Sequence, residues 1–405
     1  MFISVEKCYL KYKDYIYIFL FSIYFFTMFL SSTALIEESI YSFGETLYKF
    51  LKYIKYITYF SFLCIIVYSY VKQNLKRVPT FLVLFFAGVS SLLTRDFQVL
   101  SFALVTIAAT GISNKKFFKA YVIFSFSLLV IVLFLSSIGL IENVIYDLGS
   151  RNRNTLGFLW TTNAPMFFFF TILAVLYRYH KKLSWIELLS LWLINILLFQ
   201  LTNTKFVFFL TSLSLFLEVI FSKYEDSIYK IFEKKWVKYT VCNIPGICCL
   251  FSLFSSLLFN PNSFGWQFLN SLLTNRLVNG HNAISQYGFS IFGQPIEWNG
   301  YWIGSEATDI YNYVDSSFLQ IAIKDGLIIM LISIIAYMGI LYWGIKKKSY
   351  WLVTITILVL ILCVTEPRLI NVSYNPFLIF STVMLNNLEH ADKRDKGIDN
   401  HESVN

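Results

Sequence analysis

The chain has 405 residues, 57% of them hydrophobic and only 14% charged, with a formal net charge of +9. An ordinary soluble domain is about 25% charged, so a water-soluble fold of this length would have too little polar surface to cover itself. The positive charge lies in short clusters between apolar runs, where it sets membrane topology; this argues against nucleic acid as its partner.

The first apolar run, from Tyr15 to Ile36, is longer than the roughly 7–15 residues of a signal-peptide core, and no small-residue cleavage site follows it. It is therefore expected to be a first transmembrane helix. About 20 apolar residues cross the ~30 Å of hydrocarbon as a helix. Candidate stretches lie near 15–36, 54–71, 78–93, 97–112, 117–141 and 155–176, then near 184–201, 203–221, 237–259, 317–345, 349–365 and 368–385. The expected fold class is an all-α integral membrane bundle of about 12 transmembrane helices.

Positive charge tests this independently of hydropathy. With the N-terminus inside, the inner segments hold Lys7, Lys11 and Lys13, then Lys72, Lys76 and Arg77, then Lys115, Lys116 and Lys119. Further along they hold Arg178, Lys181 and Lys182, then Lys223, Lys230, Lys234, Lys235 and Lys238. The last two hold Lys346, Lys347 and Lys348, and Lys393, Arg394 and Lys396. These account for 23 of the 33 Lys and Arg, so both termini are expected to be cytoplasmic. The division is 1–259 with nine spans, 260–314 as an external loop, 315–388 with three spans, and 389–405 as a cytoplasmic polar tail. The six cysteines form no CxxC pair and read as small apolar filler.

The external segment from Asn260 to Val314 holds eight Gly and Pro residues along with Trp266, Trp298 and Trp302. It is too broken to span and too aromatic to be a disordered linker. A small folded element on the outer face is expected, with amphipathic pieces such as Phe289–Phe292 resting in the interface.

The kind of outward charge is informative. Of eight arginines, five are expected outside: Arg95, Arg151, Arg153, Arg276 and Arg368. Lysine suffices for topology, whereas arginine's planar fork of five donors suits a bidentate grip on phosphate or pyrophosphate. Each arginine could equally be an anchor in the headgroup layer. Lys205, at the outer start of a span in Leu201-Thr-Asn-Thr-Lys205, joins them. His281, in Arg276-Leu-Val-Asn-Gly280-His281, is a candidate base for a sugar hydroxyl, although a loop histidine is more often structural. Asp315 opens the stretch Asp315-Ser-Ser-Phe-Leu and is expected to cap a helix. Lys324 and Asp325 follow within that helix and must face protein or water. Glu366-Pro367-Arg368, with Asn371, Tyr374 and Asn375, forms a polar hairpin at the outer face.

These residues resemble the Wzy-type O-antigen and capsular polysaccharide polymerases. The resemblance covers most of the chain as topology, while its local motifs are loose. Arg151-Asn-Arg153-Asn-Thr-Leu-Gly157-Phe158 followed by Asn163-Ala-Pro165 is similar to the family's arginine stretch before Gly-Phe and His-Pro-Asn, without the His-Pro. Leu201–Lys205 is similar to its Ser/Thr-Arg helix start, with lysine for arginine. Asp315-Ser-Ser-Phe-Leu with Gly326, and Glu366 with Tyr374-Asn375-Pro376, resemble later segments. The Arg-x10-Gly loop pattern of some members is absent, since Gly288 falls one residue late after Arg276.

The resemblance implies a GT-C-like glycosyltransferase in a bacterial cytoplasmic membrane, without a nucleotide sugar, metal or other cofactor. It would move a growing glycan from one undecaprenyl pyrophosphate-linked oligosaccharide to another at the outer face, among membrane lipids and beside a flippase and a chain-length regulator. Arg151, Arg153, Lys205, Arg276 and Arg368 would bind the substrate's pyrophosphate. His281, followed by Asp315 and Glu306, would supply the base. An O-antigen ligase of the same superfamily is the nearest alternative. A flippase for the same lipid-linked unit is a second, and it would carry its charges at mid-membrane depth rather than near one face.

Overall fold

A computed structural model describes residues 2–72, 75–147, 152–300 and 311–385. Its helices in chain order are α1 (Phe2–Leu30), α2 (Gly44–Val71), α3 (Arg77–Thr94), α4 (Gln98–Ala108), α5 (Asn114–Ser137), α6 (Asn163–Tyr179) and α7 (Trp185–Thr202). Then come α8 (Lys205–Glu233), α9 (Lys235–Leu257), α10 (Phe264–Leu272), α11 (Arg276–Tyr287), α12 (Ser317–Gln320), α13 (Leu327–Lys346) and α14 (Tyr350–Cys363). Among the described residues the only sheet is a hairpin of β1 (Ile145–Asp147) and β2 (Asn152–Asn154). The fold is all-α.

Among the described residues, eight helices are long and apolar enough to cross a membrane: α1 from Lys11, α2, α3, α5, α7, α8, α9 and α13. Their outward faces carry Leu92, Phe81, Ile186 and Phe209, all strongly exposed. Water would penalise so much apolar surface; lipid is its natural solvent. The chain is a membrane protein.

Four expected spans take a different form. The stretch 97–112 contains an 11-residue α4, 155–176 becomes the 17-residue α6, and 349–365 becomes the 14-residue α14. The last, 368–385, holds a 3₁₀ helix over Pro376–Met384. At 1.5 Å per residue α4 is only about 16 Å long, roughly half the hydrocarbon thickness. All four segments lie almost wholly inside the bundle. Hydropathy scores an apolar residue alike whether it meets lipid or protein, and a segment wrapped by other helices has no bilayer thickness to match.

The core explains the excess of aromatic residues. Phe21, Phe25 and Phe29 of α1 pack ring to ring with Phe117, Tyr121 and Phe167. Three deeply buried tyrosine hydroxyls find backbone partners: Tyr17 donates to the Val105 carbonyl (3.0 Å), Tyr121 to that of Tyr374 (2.8 Å) and Tyr337 to that of Leu369 (2.8 Å). The bundle has two chemically different ends. At one, Lys116 pairs with Asp14 (2.9 Å), Lys348 with Glu233 (3.0 Å) and Lys181 with Glu225, and Ser184 and Glu187 form a capping box for α7. The other end gathers arginines.

The path from α12 to α13 is broken. After α12 a π turn covers Ile321–Asp325, and Gly326 adopts φ +104° before α13 begins. Backbone groups freed at such a break need partners at membrane depth. The stretch 290–294 supplies them. Leu327 and Ile328 N–H donate to the carbonyls of Ser290 (2.8 Å) and Ile291 (3.2 Å), and Gln294 donates its backbone and side-chain N–H to Lys324 (2.8 Å) and Ile323 (2.9 Å). The piece Phe289–Phe292 is thus a strap hydrogen-bonded across the break, with Phe292 against Phe86 and the apolar side chains still half exposed.

A Cβ at Gly326 would stand 2.6 Å from the Gly293 nitrogen. Gly326→Ala is expected to lower stability by about 1–3 kcal/mol through strain and clash together, read as a lower melting temperature of the detergent-purified protein. Gly246→Ala in α9, with open space around it, is the control and should be neutral or stabilising. Equal melting of the two variants would mean that the break is not held as described.

Candidate functional site

Three arginines reach the same place from three directions. Arg153 lies on β2, opposite Tyr146 in the hairpin register. Its Nε donates to the Thr202 carbonyl (2.9 Å), while Asn154 Nδ2 donates to Leu201 (2.8 Å). Together they satisfy last-turn carbonyls of α7, where a cation also suits the helix dipole. The α7–α8 corner turns through Asn203 at φ 52°. The Arg153 guanidinium lies 5.7 Å over the Trp160 ring.

Arg368 sits on the hairpin after α14. Its guanidinium lies 4.2 Å over the Tyr374 ring, which stacks on Phe167 at 4.1 Å, and its Nη2 donates to Asn163 Oδ1 (3.4 Å). Arg276 opens α11. A cation at a helix N-terminus is unfavourable by itself, and two carboxylates offset it. Its Nη2 reaches Glu366 Oε1 at 3.0 Å and its Nε lies 3.3 Å from Asp315 Oδ2, with Nη1 donating to Thr274 (3.0 Å). Gly280 lets α11 lie against Ser256 of α9 and Leu319, since a Cβ there would fall 2.5 Å from Ser256 Oγ. That contact fixes where Arg276 points.

The charges form one system. Arg153, Arg276 and Arg368 all act electrostatically on both Asp315 and Glu366. Burial pushes the proton affinity of both carboxyls up, and the arginines offset this only in part. Asp315 keeps 24% of its side chain exposed and Glu366 only 7%. The Nε of Arg368 is buried with no hydrogen-bond acceptor, as is Ser316 Oγ, while Nε of Arg276 has only the 3.3 Å approach of Asp315 Oδ2. Buried donors without acceptors are rare. Beside them stand Asp315 and Glu366, carboxylates able to receive a proton.

The structure thus brings together Arg153, Arg276, Arg368 and Asp315 of the expected residues. Asp315 does not cap α12: Ser316 occupies the N-cap, and the Asp315 carboxylate turns to Arg276 instead. Lys205 is the exposed first residue of α8, and its ammonium has no partner among the described residues. His281 lies on α11, where its Nδ1 donates to the Ser256 carbonyl (3.0 Å) and its ring meets Phe259. Arg151 and Glu306 lie outside the described residues. Glu366 had no assigned role from sequence; its place in the Glu-Pro-Arg hairpin was the available signal. Tyr313, which couples electrostatically to Arg368, Asp315 and Glu366, carried no signal at all.

Comparison with protein-family models, with curated proteins and with solved structures finds no match for this chain.

Arg276→Met removes the cation shared by two carboxylates. Breaking a fully buried pair costs about 3–5 kcal/mol; with Arg276 19% exposed, solvent screening brings the expected loss to about 2–3 kcal/mol. Its pH dependence has a definite sign. A carboxyl whose folded proton affinity is raised binds protons more readily folded than unfolded, so its destabilising effect grows as pH rises through the raised value. The melting-temperature deficit of Arg276→Met should therefore be largest at alkaline pH and shrink in mild acid. A deficit independent of pH would assign Arg276 a packing role only.

Proposed function

We propose that this chain is a membrane glycosyltransferase that polymerises oligosaccharide repeat units carried on undecaprenyl pyrophosphate, at the outer face of a bacterial cytoplasmic membrane. In this reading the chain crosses the membrane twelve times, counting its four short internal segments, with both termini inside. The supporting observation is the convergence of Arg153, Arg276 and Arg368 on Asp315 and Glu366, with the Arg368 Nε donor left without an acceptor.

The reaction forms a bond between the acceptor sugar's hydroxyl oxygen and the donor's anomeric carbon. It breaks the bond from that carbon to the pyrophosphate oxygen. Negative charge then grows on the leaving pyrophosphate, and preorganised guanidinium donors stabilise it at no reorganisation cost. The hydroxyl proton goes to a carboxylate. Asp315 is the better placed because it is the more exposed of the pair, while Glu366 holds Arg276 from the other side. His281 becomes a positioning residue that ties α11 to α9.

Purified protein in nanodiscs, given lipid-linked repeat units, should lengthen the glycan. Arg153→Ala and Arg276→Ala should abolish extension, and Lys at either position should restore it only in part, because point charge returns without the fork. Asp315→Asn should slow transfer by roughly 10²–10⁴-fold. The acid limb of the wild-type rate profile should lie above the ~3.9 of a free aspartate, since a base with raised proton affinity is lost at higher pH. Undiminished extension by the alanine variants would reduce the arginines to anchors. Transfer only to a lipopolysaccharide core acceptor would mark a ligase.

A further inference from the structure

The stretch Lys324-Asp325 takes no part in the cluster just described, yet it lines a cavity beside it. That cavity has a volume of about 150 Å³, and Tyr313, Gln320 and Trp298 share its wall with Asp96, Lys324 and Asp325. Its partition from the arginine cluster is thin. Ser317, on the same wall, donates to the Glu366 carbonyl (2.6 Å) and accepts from Leu369 N–H (3.1 Å), so the hairpin that carries Glu366 and Arg368 closes one side.

The chemistry of this lining differs from that of the cluster. The Lys324 ammonium is already committed to Asp96 (2.7 Å). Asp325 is 9% exposed, lines the cavity, and its carboxylate accepts no hydrogen bond among the described residues. The Trp298 indole N–H is buried without an acceptor. Within this cavity two carboxylates face one lysine that is already paired, a lining that disfavours phosphate. A lining this polar, at the end of an otherwise apolar bundle, also excludes an acyl chain. An uncharged ligand rich in hydroxyls fits. Its O–H groups donate to carboxylates, its oxygens accept from amide and indole N–H, and its C–H faces lie on aromatic rings. The volume matches about five liquid waters, the scale of one sugar ring.

A second cavity of about 100 Å³ continues from the first, sharing Asp96, Gln98 and Ile370, and adds Lys55, Tyr59 and Asn371. Its Tyr59 and Asn371 extend the same mixture of ring faces and hydrogen-bonding groups.

We propose that the Asp96–Lys324–Asp325 cavity is a carbohydrate subsite that seats one uncharged pyranose of the acceptor repeat unit, next to but separate from the arginine cluster. The proposal rests on the glycosyltransferase reading for what it calls the acceptor, and not for sugar binding itself. It divides recognition by charge: guanidinium groups take the pyrophosphate, and carboxylates take the neutral ring. Tyr313 of the cavity wall also feels the charges of Asp315 and Arg368 in the cluster.

The test uses the full-length protein in nanodiscs and the repeat-unit oligosaccharide freed from its lipid pyrophosphate, with binding followed by calorimetry. Wild type should bind it, and excess inorganic pyrophosphate should leave that binding unchanged. Asp325→Asn, which keeps shape and loses charge, should weaken binding about tenfold, the effect of one charge-assisted hydrogen bond. Trp298→Ala should weaken it by a similar or larger factor, with thermal melting confirming that both variants are folded. Unchanged binding by folded Asp325→Asn and Trp298→Ala overturns the subsite, and so does competition by pyrophosphate. No binding by a wild-type protein that extends lipid-linked units overturns it too, leaving the glycosyltransferase reading intact. Oligosaccharide binding that these variants lose, in a protein that extends nothing, keeps the subsite and removes that reading.

Discussion

Everything at the arginine-rich end depends on the Arg276 guanidinium held between Asp315 and Glu366. These three groups come from α11, from the residue before the N-cap of α12, and from the turn after α14, and no backbone pairing joins them. In a region of low dielectric an uncompensated charge is costly, so each member makes the other two tolerable. One cation against two carboxylates leaves a deficit of positive charge, which Arg153 and Arg368 make good from the hairpin and the last polar turn. The result is a compact set of charges in which the donors outnumber the acceptors they meet.

That imbalance gives the end its chemical character. The lysine end carries simple ion pairs, Lys116 with Asp14 and Lys348 with Glu233, in contacts open to solvent. At the arginine end three guanidinium groups share two largely buried carboxylates, and Nε of Arg368 has no acceptor. Alongside, the break at Gly326 opens a polar cavity where a continuous helix would have presented apolar side chains. The strap over 290–294 makes that break affordable by returning hydrogen bonds to both sides of it. Fold and site are therefore linked: the irregular backbone occurs where it lines polar space.

Much of this end was legible in the sequence through one contrast, arginine outside against lysine inside. It led to Arg153, Arg276 and Arg368, and the helix-start pattern led to Asp315. It did not separate these from Arg95, which is exposed at the end of α3, or from Lys205, because charge type says nothing about which side chains turn inward. His281 drew notice for its chemistry, yet the α11 face it occupies is decided by Gly280 meeting Ser256. The pairing of Lys324 with Asp96 joins residues 228 positions apart and leaves no local trace. Long apolar helices were visible as such. Their short internal companions, α4 and α14, were not, since burial in protein and burial in lipid write the same letters.

In the proposed function the arginine end holds a pyrophosphate. The most direct measurement is the affinity of purified wild type and Arg368→Gln for inorganic pyrophosphate, with orthophosphate for comparison. Arg368 is the choice because it is stacked on Tyr374 and forms no ion pair with either carboxylate, so its loss leaves the Arg276 fork standing. Wild type should bind pyrophosphate more tightly than orthophosphate, and Arg368→Gln should lose about tenfold or more of that affinity. Equal affinity of the two proteins, or no preference for pyrophosphate in wild type, would contradict it.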